Sequence, residues 1–259
     1  MRFCSLGSGS SGNSTLVEAS QGITTTRVLI DCGFSMRELE RRLQRAGAEL
    51  SQLDAVFITH EHGDHVGCAF TLARKHRIPV WLSRGTWRAI GAPELPVGQL
   101  HFAQDGTGFS VGDLHVSPYA VPHDAHEPLQ LTCSDGQSRL GVLTDAGSIT
   151  EGMLQQLKDC DALLLEFNHD LELLQHSSYP ASLKKRIQGT HGHLSNDAAT
   201  QVLAAINHAQ LRHVVAAHLS ERNNNPALVR ELMAQTLDRP ASEMTVADPR
   251  LGIGWLQLN

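Results

Sequence analysis

Between residues 60 and 65 the sequence places three histidines and one aspartate within six positions, in the order His-Glu-His-Gly-Asp-His. Side chains two positions apart share a face of an extended chain, so His60 and His62 point the same way. Asp64 and His65 begin a helix-like segment and address a second point nearby. The spacing predicts four ligands for two adjacent metal ions. The alternative is a solvated loop with unrelated histidines, which would be an unusual coincidence between an apolar strand and an apolar helix.

Three further residues can complete this ligand set: His123, Asp145 and His218, each at the end of a short β-rich run. Histidine is the commonest metal ligand in proteins, and the 15 histidines outnumber the phenylalanines, tryptophans and tyrosines together. A single His or Asp at a strand end is more often a cap or a surface residue. In this order after the first motif, the three become candidate ligands.

The pattern H-x-H-x-D-H, followed by a distant His, an Asp and a final His, resembles the metallo-β-lactamase fold superfamily. The resemblance implies that two groups of three residues each hold one metal ion and that Asp145 bridges both ions. The first group is His60, His62 and His123, and the second is Asp64, His65 and His218. Imidazole and carboxylate ligands suit zinc but also manganese or iron, because only thiolates would narrow the choice. We expect two divalent metal ions, with zinc favoured over manganese and iron.

Further segments narrow the resemblance to the YycJ-type (WalJ) branch, with matches from residue 4 to about residue 226. The segments are Asp31-Cys-Gly-Phe-Ser, Glu166-Phe-Asn-His-Asp, Gly192-His-Leu-Ser-Asn and His218-Leu-Ser-Glu-Arg-Asn-Asn. This branch is related to the tRNA-processing ribonuclease Z and to phosphonate-pathway phosphodiesterases, and its members are regarded as 5′-to-3′ DNA exonucleases. The resemblance implies a dinuclear phosphodiesterase or nuclease that uses a metal-bridging hydroxide. DNA is favoured over RNA as the nucleic-acid substrate, but the residues themselves leave that choice and the mode of cleavage open.

Phosphodiester hydrolysis also needs a group that protonates the leaving alkoxide. Two metal ions can activate a bridging water and clamp a phosphoryl oxygen, and Asp64 is placed to orient the resulting hydroxide. Phosphodiesterase relatives have a histidine where His193 stands and a glutamate that orients it, which corresponds to Glu166. We therefore expect Asp64, His193 and Glu166 to be catalytic. The alternatives are that His193 only neighbours a helix start, and that Asn168 or His169 takes the place of Glu166.

A phosphate substrate needs cations and hydrogen-bond donors around the metal ions. The Gly/Ser-rich segment near the N-terminus offers hydroxyl and N–H groups, and we expect Ser11 and Asn13 to contact the substrate, together with Asn168. Lys185 lies in a Lys-Lys-Arg run, and Arg222 follows the last candidate ligand by four residues. We expect both cations to face the phosphates. A tight hairpin and a solvated helix face are the alternative explanations.

Two other classes of function use the same ligands. A thioester or lactam hydrolase, similar to glyoxalase II or to the β-lactamases, would need neither a proton donor at His193 nor basic residues around the site. A metal-stabilised binding protein without catalysis would be favoured if a ligand were missing, and none is. An open dinuclear site is also poorly explained as a purely structural one.

Strands and helices alternate along the chain, which is typical of α/β proteins. Short β-rich runs predict strands at Arg27–Asp31, Ala55–Thr59, Pro79–Leu82, Leu140–Thr144, Ala162–Glu166 and Val214–His218. Capping residues and apolar periodicity predict helices at residues 36–46, 64–76, 148–159, 180–188, 195–209 and 226–237. The Gly- and Pro-rich stretch Leu95–Cys133 predicts hairpins.

No linker or composition shift divides the chain, so we expect residues 1–259 to form a single domain. The resemblance implies a four-layer αββα sandwich, with two mixed central sheets flanked by helices. The ligands would lie on loops at one edge of the two sheets, where strands end.

The composition is that of an ordinary globular protein, with 41% hydrophobic and 19% charged residues. No apolar run approaches the roughly 18 residues of a membrane-spanning helix, and no signal-peptide pattern opens the chain. The five cysteines are scattered and form no C-x-x-C pair, which argues against a disulfide framework and fits a reducing cytoplasm. The net charge of −6 argues against a broadly basic surface, although bound metal ions would make a pocket locally positive. The oligomeric state stays open.

Overall fold

A computed structural model describes residues 1–258 and shows two seven-stranded β-sheets. The strands of the first sheet are β1 (Arg2–Gly7), β2 (Ser14–Gln21), β3 (Thr24–Ile30), β4 (Ala55–Phe57), β5 (Val80–Leu82), β6 (Leu100–Phe102) and β14 (Leu256–Gln257). Their order is β14-β1-β2-β3-β4-β5-β6. The pairings from β14 to β3 are antiparallel and those from β3 to β6 are parallel, so the sheet is mixed.

The second sheet repeats this plan with the following part of the chain. Its strands are β7 (Phe109–Val111), β8 (Leu114–Ala120), β9 (Leu129–Ser134), β10 (Arg139–Leu143), β11 (Ala162–Glu166), β12 (His213–Ala217) and β13 (Thr245–Val246). They lie in the order β13-β12-β11-β10-β9-β8-β7. Pairings from β7 to β10 are antiparallel and those from β10 to β13 are parallel.

Helices cover the outer faces of both sheets. They are α1 (Met36–Arg45), α2 (Gly63–Val66), α3 (Ala69–His76), α4 (Arg84–Ala89), α5 (Glu151–Leu157), α6 (Leu171–His176), α7 (Ala181–Ile187), α8 (Asn196–Ile206) and α9 (Pro226–Leu237), with 3₁₀ turns at Leu50–Gln52 and Ala241–Glu243. None of the helices formed by the described residues is long and apolar enough to cross a membrane.

Three apolar layers hold the sandwich together. The central layer lies between the two sheets and contains Phe3, Phe57 and Leu131, all buried. A second layer packs α1 and α3 on the first sheet, through residues such as Leu39 and Leu72. The third packs α5, α8 and α9 on the second sheet. The predicted four-layer αββα sandwich is therefore confirmed.

The single helix predicted over residues 64–76 is wrong, because the chain forms α2 and α3 there. The break lies at Gly67, which adopts a φ of 37°. A Cβ at this position would overlap the backbone of Cys32 and Gly33. Glycine therefore lets the loop after β3 pack against the turn between the two helices.

The parallel strands of both sheets end at one common edge. In the first sheet Ile30 is paired with Phe57, and in the second Leu143 is paired with Leu165 and Glu166 with Ala217. Residues that follow these strands are thus brought close together although they are far apart in sequence. Ligand sites of open α/β sheets lie at such carboxyl ends.

All five cysteines belong to the described part of the chain, are buried and form no disulfide. Two of them are neighbours, since Sγ of Cys32 lies 3.4 Å from Sγ of Cys68.

Candidate active site

Three histidine rings form the first of two groups at the common strand edge. His60 and His62 follow β4, and His123 follows β8. Nε2 of His60 lies 3.0 Å from Nδ1 of His62, which in turn lies 3.3 Å from Nε2 of His123. His60 and His123 are buried, and His62 is partly exposed. Three ring nitrogens this close together can hold one metal ion.

The second group consists of Asp64 and His65 from α2 and His218 after β12. Nε2 of His65 and Nε2 of His218 each lie 3.5 Å from Oδ2 of Asp64. His218 has a φ of 53°, which is uncommon for a residue with a side chain. Its backbone N–H donates to Oγ of Ser8 at 2.9 Å, so the Gly/Ser-rich loop holds this backbone in place.

Asp145 follows β10 and lies between the two groups. Its Oδ2 is 3.2 Å from Nε2 of His65, and its Oδ1 is 3.5 Å from Nε2 of His218 and 3.9 Å from Nε2 of His123. One carboxylate therefore faces ligand atoms of both groups, which is the arrangement that a bridging residue needs.

These residues fit a pair of divalent cations. Oδ2 of Asp145 and Nε2 of His218 are buried and have no hydrogen-bond partner among residues 1–258. Burying an unpaired polar atom is costly, and a cation between these atoms would remove that cost. The donor set of imidazoles and carboxylates, without thiolates, accepts zinc, manganese or iron.

The protonation states of four candidate ligands suit metal binding. Burial raises the pKa of Asp64 and Asp145, but the surrounding histidines outweigh it and hold the pKa of both carboxyls below its usual range. Burial lowers the pKa of His123 to about 4 and that of His60 well below its ordinary value. Ionised carboxylates and neutral imidazoles are the forms that bind metal ions. At His65 and His218 burial lowers the pKa, but the neighbouring carboxylates outweigh it and raise the pKa above its ordinary value, so a metal ion has to displace a proton from these two rings.

Two residues that sequence reasoning did not assign to the site orient these ligands. Asp31 follows β3, and its Oδ2 accepts a hydrogen bond from Nδ1 of His65 at 2.7 Å. Thr59 Oγ1 donates to the Asp31 carboxylate and lies 3.0 Å from Nδ1 of His60. Such contacts leave Nε2 of each ring free to bind a metal ion. The position of Asp31 at the end of a predicted strand was the signal that could have identified it.

Asn13 and Asn168, which are expected to contact the substrate, are buried against the candidate ligands. Nδ2 of Asn13 lies 3.3 Å from Oδ2 of Asp64, and Nδ2 of Asn168 donates to the carbonyl of His218 at 3.0 Å. Both amides therefore help to position ligands. A direct contact of either with a substrate stays a prediction.

His193 lies beside the second group, in the loop before α8. Its Nδ1 donates to Oε1 of Glu166 at 2.8 Å, and its ring stacks on that of His218 with centroids 5.3 Å apart. Glu166 is fully buried, and its Oε2 accepts from the backbone N–H groups of Ala146 and Leu194. Of the three candidates for orienting His193, Glu166 is the one that is bonded to it.

The Glu166 carboxylate also decides the charge of His193. Burial on its own would lower the pKa of His193, but Glu166 and then Asp145 raise it to about 9. The ring therefore carries a proton near neutrality in the metal-free protein. Its side chain is 23% exposed, so that proton can reach a bound molecule.

Close backbone packing fixes the loop that carries His193. The carbonyl of Gly192 accepts a hydrogen bond from Nδ1 of His123 at 2.9 Å. A Cβ on Gly192 would overlap the carbonyl oxygens of Arg186 and Ile187. Glycine at this position therefore allows the close packing, and its carbonyl connects the loop of His193 to His123, a candidate ligand of the first group.

The other expected substrate contacts lie on the surface around the site. Ser11 is exposed, and its Oγ donates to Oε1 of Glu221 at 3.4 Å. Arg222 is exposed and lies over the ring of Tyr179. Lys185 is exposed on α7, but its neighbour Arg186 is the basic residue that lines the cleft beside His193. Substrate binding by Ser11, Lys185 and Arg222 stays a prediction.

Two mixed sheets with a His/Asp cluster at their common edge define the metal-dependent hydrolases of the metallo-β-lactamase fold. The chain belongs to the β-lactamase superfamily, because its residues 26–219 match the family model of the beta-lactamase superfamily domain. It is thus a metal-dependent hydrolase, and its relatives place it in the YycJ-type branch.

Comparison with individual proteins supports both the branch and the fold. The chain is 31% identical to the exodeoxyribonuclease YycJ of Bacillus anthracis over 97% of each chain. It is also 31% identical to the exodeoxyribonuclease WalJ of Streptococcus pneumoniae, over 98% of this chain and 91% of the relative. The metallo-β-lactamase fold protein YhfI of Bacillus subtilis superposes with a TM-score of 0.74 at 14% identity, over 98% of each chain.

Proposed function

We propose that the protein is a dinuclear metal-dependent phosphodiesterase that removes nucleotides from DNA in the 5′-to-3′ direction. The observation that carries the proposal is the His193–Glu166 pair beside the candidate ligands. Hydrolysis of a phosphodiester leaves a poor alkoxide leaving group that must be protonated. Thioester hydrolysis makes no such demand, because a thiolate leaves without a proton.

The metal ions are assigned to the two groups of ligands described above. His60, His62 and His123 would hold one ion, Asp64, His65 and His218 would hold the other, and Asp145 would bridge them. When bound, the two ions supply Lewis-acid activation of the phosphate and of the attacking water. Zinc is the first choice for the ions, with manganese and iron as alternatives.

The chain's own residues perform the remaining steps. Asp64 orients the attacking water, and His193 gives its proton to the leaving oxygen. Glu166 keeps Nδ1 of His193 engaged, so that Nε2 is the nitrogen presented to the substrate. Glu166 is fully buried and accepts from two backbone N–H groups, which position its carboxylate toward His193.

DNA as the substrate is supported by the identity to two exodeoxyribonucleases along nearly the whole chain. The 5′-to-3′ direction follows from the resemblance to this branch. We further propose that residues 1–259 act as a single domain and that the protein works in the cytoplasm, where its five free cysteines would stay reduced.

The test is a panel of substrates assayed with Zn²⁺ or Mn²⁺ and again after chelation. The panel contains single- and double-stranded DNA labelled at either end, circular single-stranded DNA, RNA of the same sequence, a thioester and a β-lactam. We expect early release of labelled mononucleotides from 5′-labelled DNA and no cut in the circle. The variant His60→Ala, purified in parallel, reveals any contaminating nuclease.

Other outcomes assign other functions. Early release of label from the 3′ end would reverse the direction, and cleavage of the circle would make the enzyme an endonuclease. Faster turnover of RNA than of DNA would make RNA the substrate in place of DNA. Turnover of the thioester or lactam without any cleavage of nucleic acid would reject the phosphodiesterase.

A further inference from the structure

A small cleft opens directly beside His193. Its volume is about 200 Å³, and its walls combine a phenol ring, an imidazole, two aliphatic side chains, a hydroxyl, a carboxylate and a guanidinium. The lining residues are Ser10, Asp124, Tyr179, Leu183, Arg186, Ile187, Gly192 and His193. The cleft is smaller than the roughly 300–1,000 Å³ of pockets that enclose drug-sized ligands. Its size therefore suits one nucleoside better than a paired duplex end.

Tyr179 gives the cleft an aromatic wall. It lies between α6 and α7 and is partly exposed, and its backbone N–H donates to Oγ of Ser177. The guanidinium of Arg222 lies over the ring, 5.9 Å from its centroid. Aromatic side chains that line a groove are platforms on which nucleobases stack.

Arg186 brings a guanidinium group to the cleft on the side of the candidate metal ligands, where it is paired with the carboxylate of Asp124. Its Nε donates to Oδ2 of Asp124 at 2.5 Å. Oδ1 of the same carboxylate lies 3.5 Å from Nε2 of His123. Asp124 therefore anchors the guanidinium next to the first ligand group. The five N–H donors of a guanidinium allow it to bind a phosphate as well.

From these contacts we infer that the cleft is the subsite for the 5′-terminal nucleoside of single-stranded DNA, with Tyr179 stacking on its base and Arg186 contacting the scissile phosphate. This inference rests on the proposed function, because His193 is taken to mark the side of the leaving oxygen.

In the corresponding reaction the oxygen of water bonds to phosphorus and the bond from phosphorus to O3′ of the terminal nucleoside breaks. His193 gives a proton to O3′ and regains one from solvent, while the attacking water loses its proton to solvent. The products are a terminal residue with a free 3′-hydroxyl and a shortened strand with a 5′-phosphate. The terminal base therefore leaves from the cleft beside His193.

Binding is tested with DNA that carries 2-aminopurine, a fluorescent base, at the 5′ end, in the presence of EDTA so that no cleavage occurs. Stacking on Tyr179 should quench the fluorescence, and Tyr179→Leu should remove the quenching whereas Tyr179→Phe keeps it. Leu171→Ala, an exposed residue on α6 outside the cleft, is the control. Quenching that survives in Tyr179→Leu, or that is equal for an internal 2-aminopurine, overturns the subsite.

Kinetics of the metal-loaded enzyme provide the second readout. Loss of one stacked base is worth about 1–3 kcal/mol, so Tyr179→Leu should raise KM roughly 5- to 150-fold. On DNA with an abasic 5′-terminal residue the variant and the native enzyme should have the same KM. An equal rise on both substrates assigns Tyr179 a structural role and overturns the inference.

Arg186 is tested through the salt dependence of DNA binding. Arg186→Gln should weaken binding and reduce the slope of log K against log salt by about one phosphate contact. Lys75→Gln, on the exposed face of α3, is the matched control. An unchanged slope in Arg186→Gln removes this residue from the subsite. Quenching without any cleavage by the native enzyme would leave the subsite intact and reject the proposed phosphodiesterase, so the two failures are distinguishable.

Discussion

At the scale of single residues, several candidate ligands are held by a second group. Asp31 orients His65, the Gly192 carbonyl orients His123, and Asn168 contacts the ring and backbone of His218. Such outer contacts fix which ring nitrogen is presented to a metal ion. The site is therefore pre-organised by the protein, and single substitutions should separate metal binding from proton transfer.

Replacing His193 by Ala should keep both metal ions but slow hydrolysis of a substrate with an alkoxide leaving group by about 10²–10⁴-fold. The rate of hydrolysis of a p-nitrophenyl phosphodiester should fall far less, because p-nitrophenolate leaves without a proton. The measurement is kcat on both substrates, together with metal content. The control is His191→Ala, an exposed histidine two positions away. Equal losses on the two substrates would contradict a role as proton donor.

Replacing Asp145 by Ala should remove more than one equivalent of metal and abolish activity, because its carboxylate faces both ligand groups. His123→Ala, which removes a ligand from one group only, should cost less metal. Metal content per chain after buffer exchange provides the comparison. Full dinuclear occupancy in Asp145→Ala would refute the bridging assignment.

At the scale of elements, an ion-pair cluster fastens three neighbouring strands of the first sheet. Glu18 on β2 accepts from Arg2 on β1 at 2.6 Å and from Arg27 on β3 at 2.7 Å. Burial on its own would raise the pKa of Glu18, but the two guanidinium groups outweigh it and hold the pKa below its ordinary value of 4.5. A lowered pKa means that the folded state favours the ionised carboxylate.

The stabilisation by Glu18 should therefore be fully present above about pH 4.5 and be lost as the pH falls through the lower pKa of the folded state. Glu18→Gln should cost about 1–2 kcal/mol of unfolding free energy between pH 6 and 8, a low value because Arg2 is partly exposed. The difference from the native protein should shrink in more acidic buffer. Urea unfolding from pH 8 down to below pH 4.5 measures it, with Glu40→Gln, at an exposed position on α1, as the control. A difference that grows on acidification would reverse the sign argument.

Helices and strands that have a clear local sequence signal could be predicted from the sequence. Residues Ala162–Glu166 and Pro226–Leu237 match β11 and α9 at both ends, since one is a continuous apolar run and the other starts with a proline. The short helices α4 and α6 were missed although Ser83 and Asp170 cap their N-termini, because helices of six residues show little apolar periodicity. Tertiary contacts decide those elements, just as Gly67 divides the predicted helix 64–76 because of what packs against it.

In the candidate site, residues that are close together in the sequence could be predicted, and residues that only the fold brings together could not. His60, His62, Asp64 and His65 lie in one short motif, so spacing alone groups them. Asp31 is distant in sequence, and only the pairing of β3 with β4 brings it to His65. Likewise, sequence cannot show that the amide of Asn13 is bonded to Asp64, and a contact of Asn13 with the substrate stays a prediction.

At the scale of the whole molecule, the site lies at the seam between two sheets of the same plan. The first sheet supplies His60, His62 and the α2 ligands, and the second supplies Asp145 and His218. Metal ions bound between them would link the two sheets. The cluster is therefore expected to contribute to stability as well as to catalysis.

Removal of metal should accordingly abolish activity and lower the melting temperature. A ligand at 100 times its Kd stabilises the folded state by about 2.7 kcal/mol, which corresponds to roughly 5–10 °C for a chain of this size. Calorimetry before and after chelation measures the shift, and added metal should reverse it. The Asp145→Ala variant should respond much less to chelator. A melting temperature that chelation leaves unchanged would show that the ions do not join the sheets.

The pairing of β14 with β1 means that the first sheet contains both early and late parts of the chain, which limits when it can be completed during synthesis. Strand β14 pairs with β1, and the N–H of Ile253 donates to the carbonyl of Ser5, so the edge of β1 stays open until the last strand has left the ribosome. His218 likewise follows His60 by more than half of the chain. Protein synthesis adds about 5–20 residues per second, so His218 is made on the order of ten seconds after His60. The candidate metal centre can therefore assemble only after residue 218 has been made, and the edge of β1 is paired only after β14 has followed.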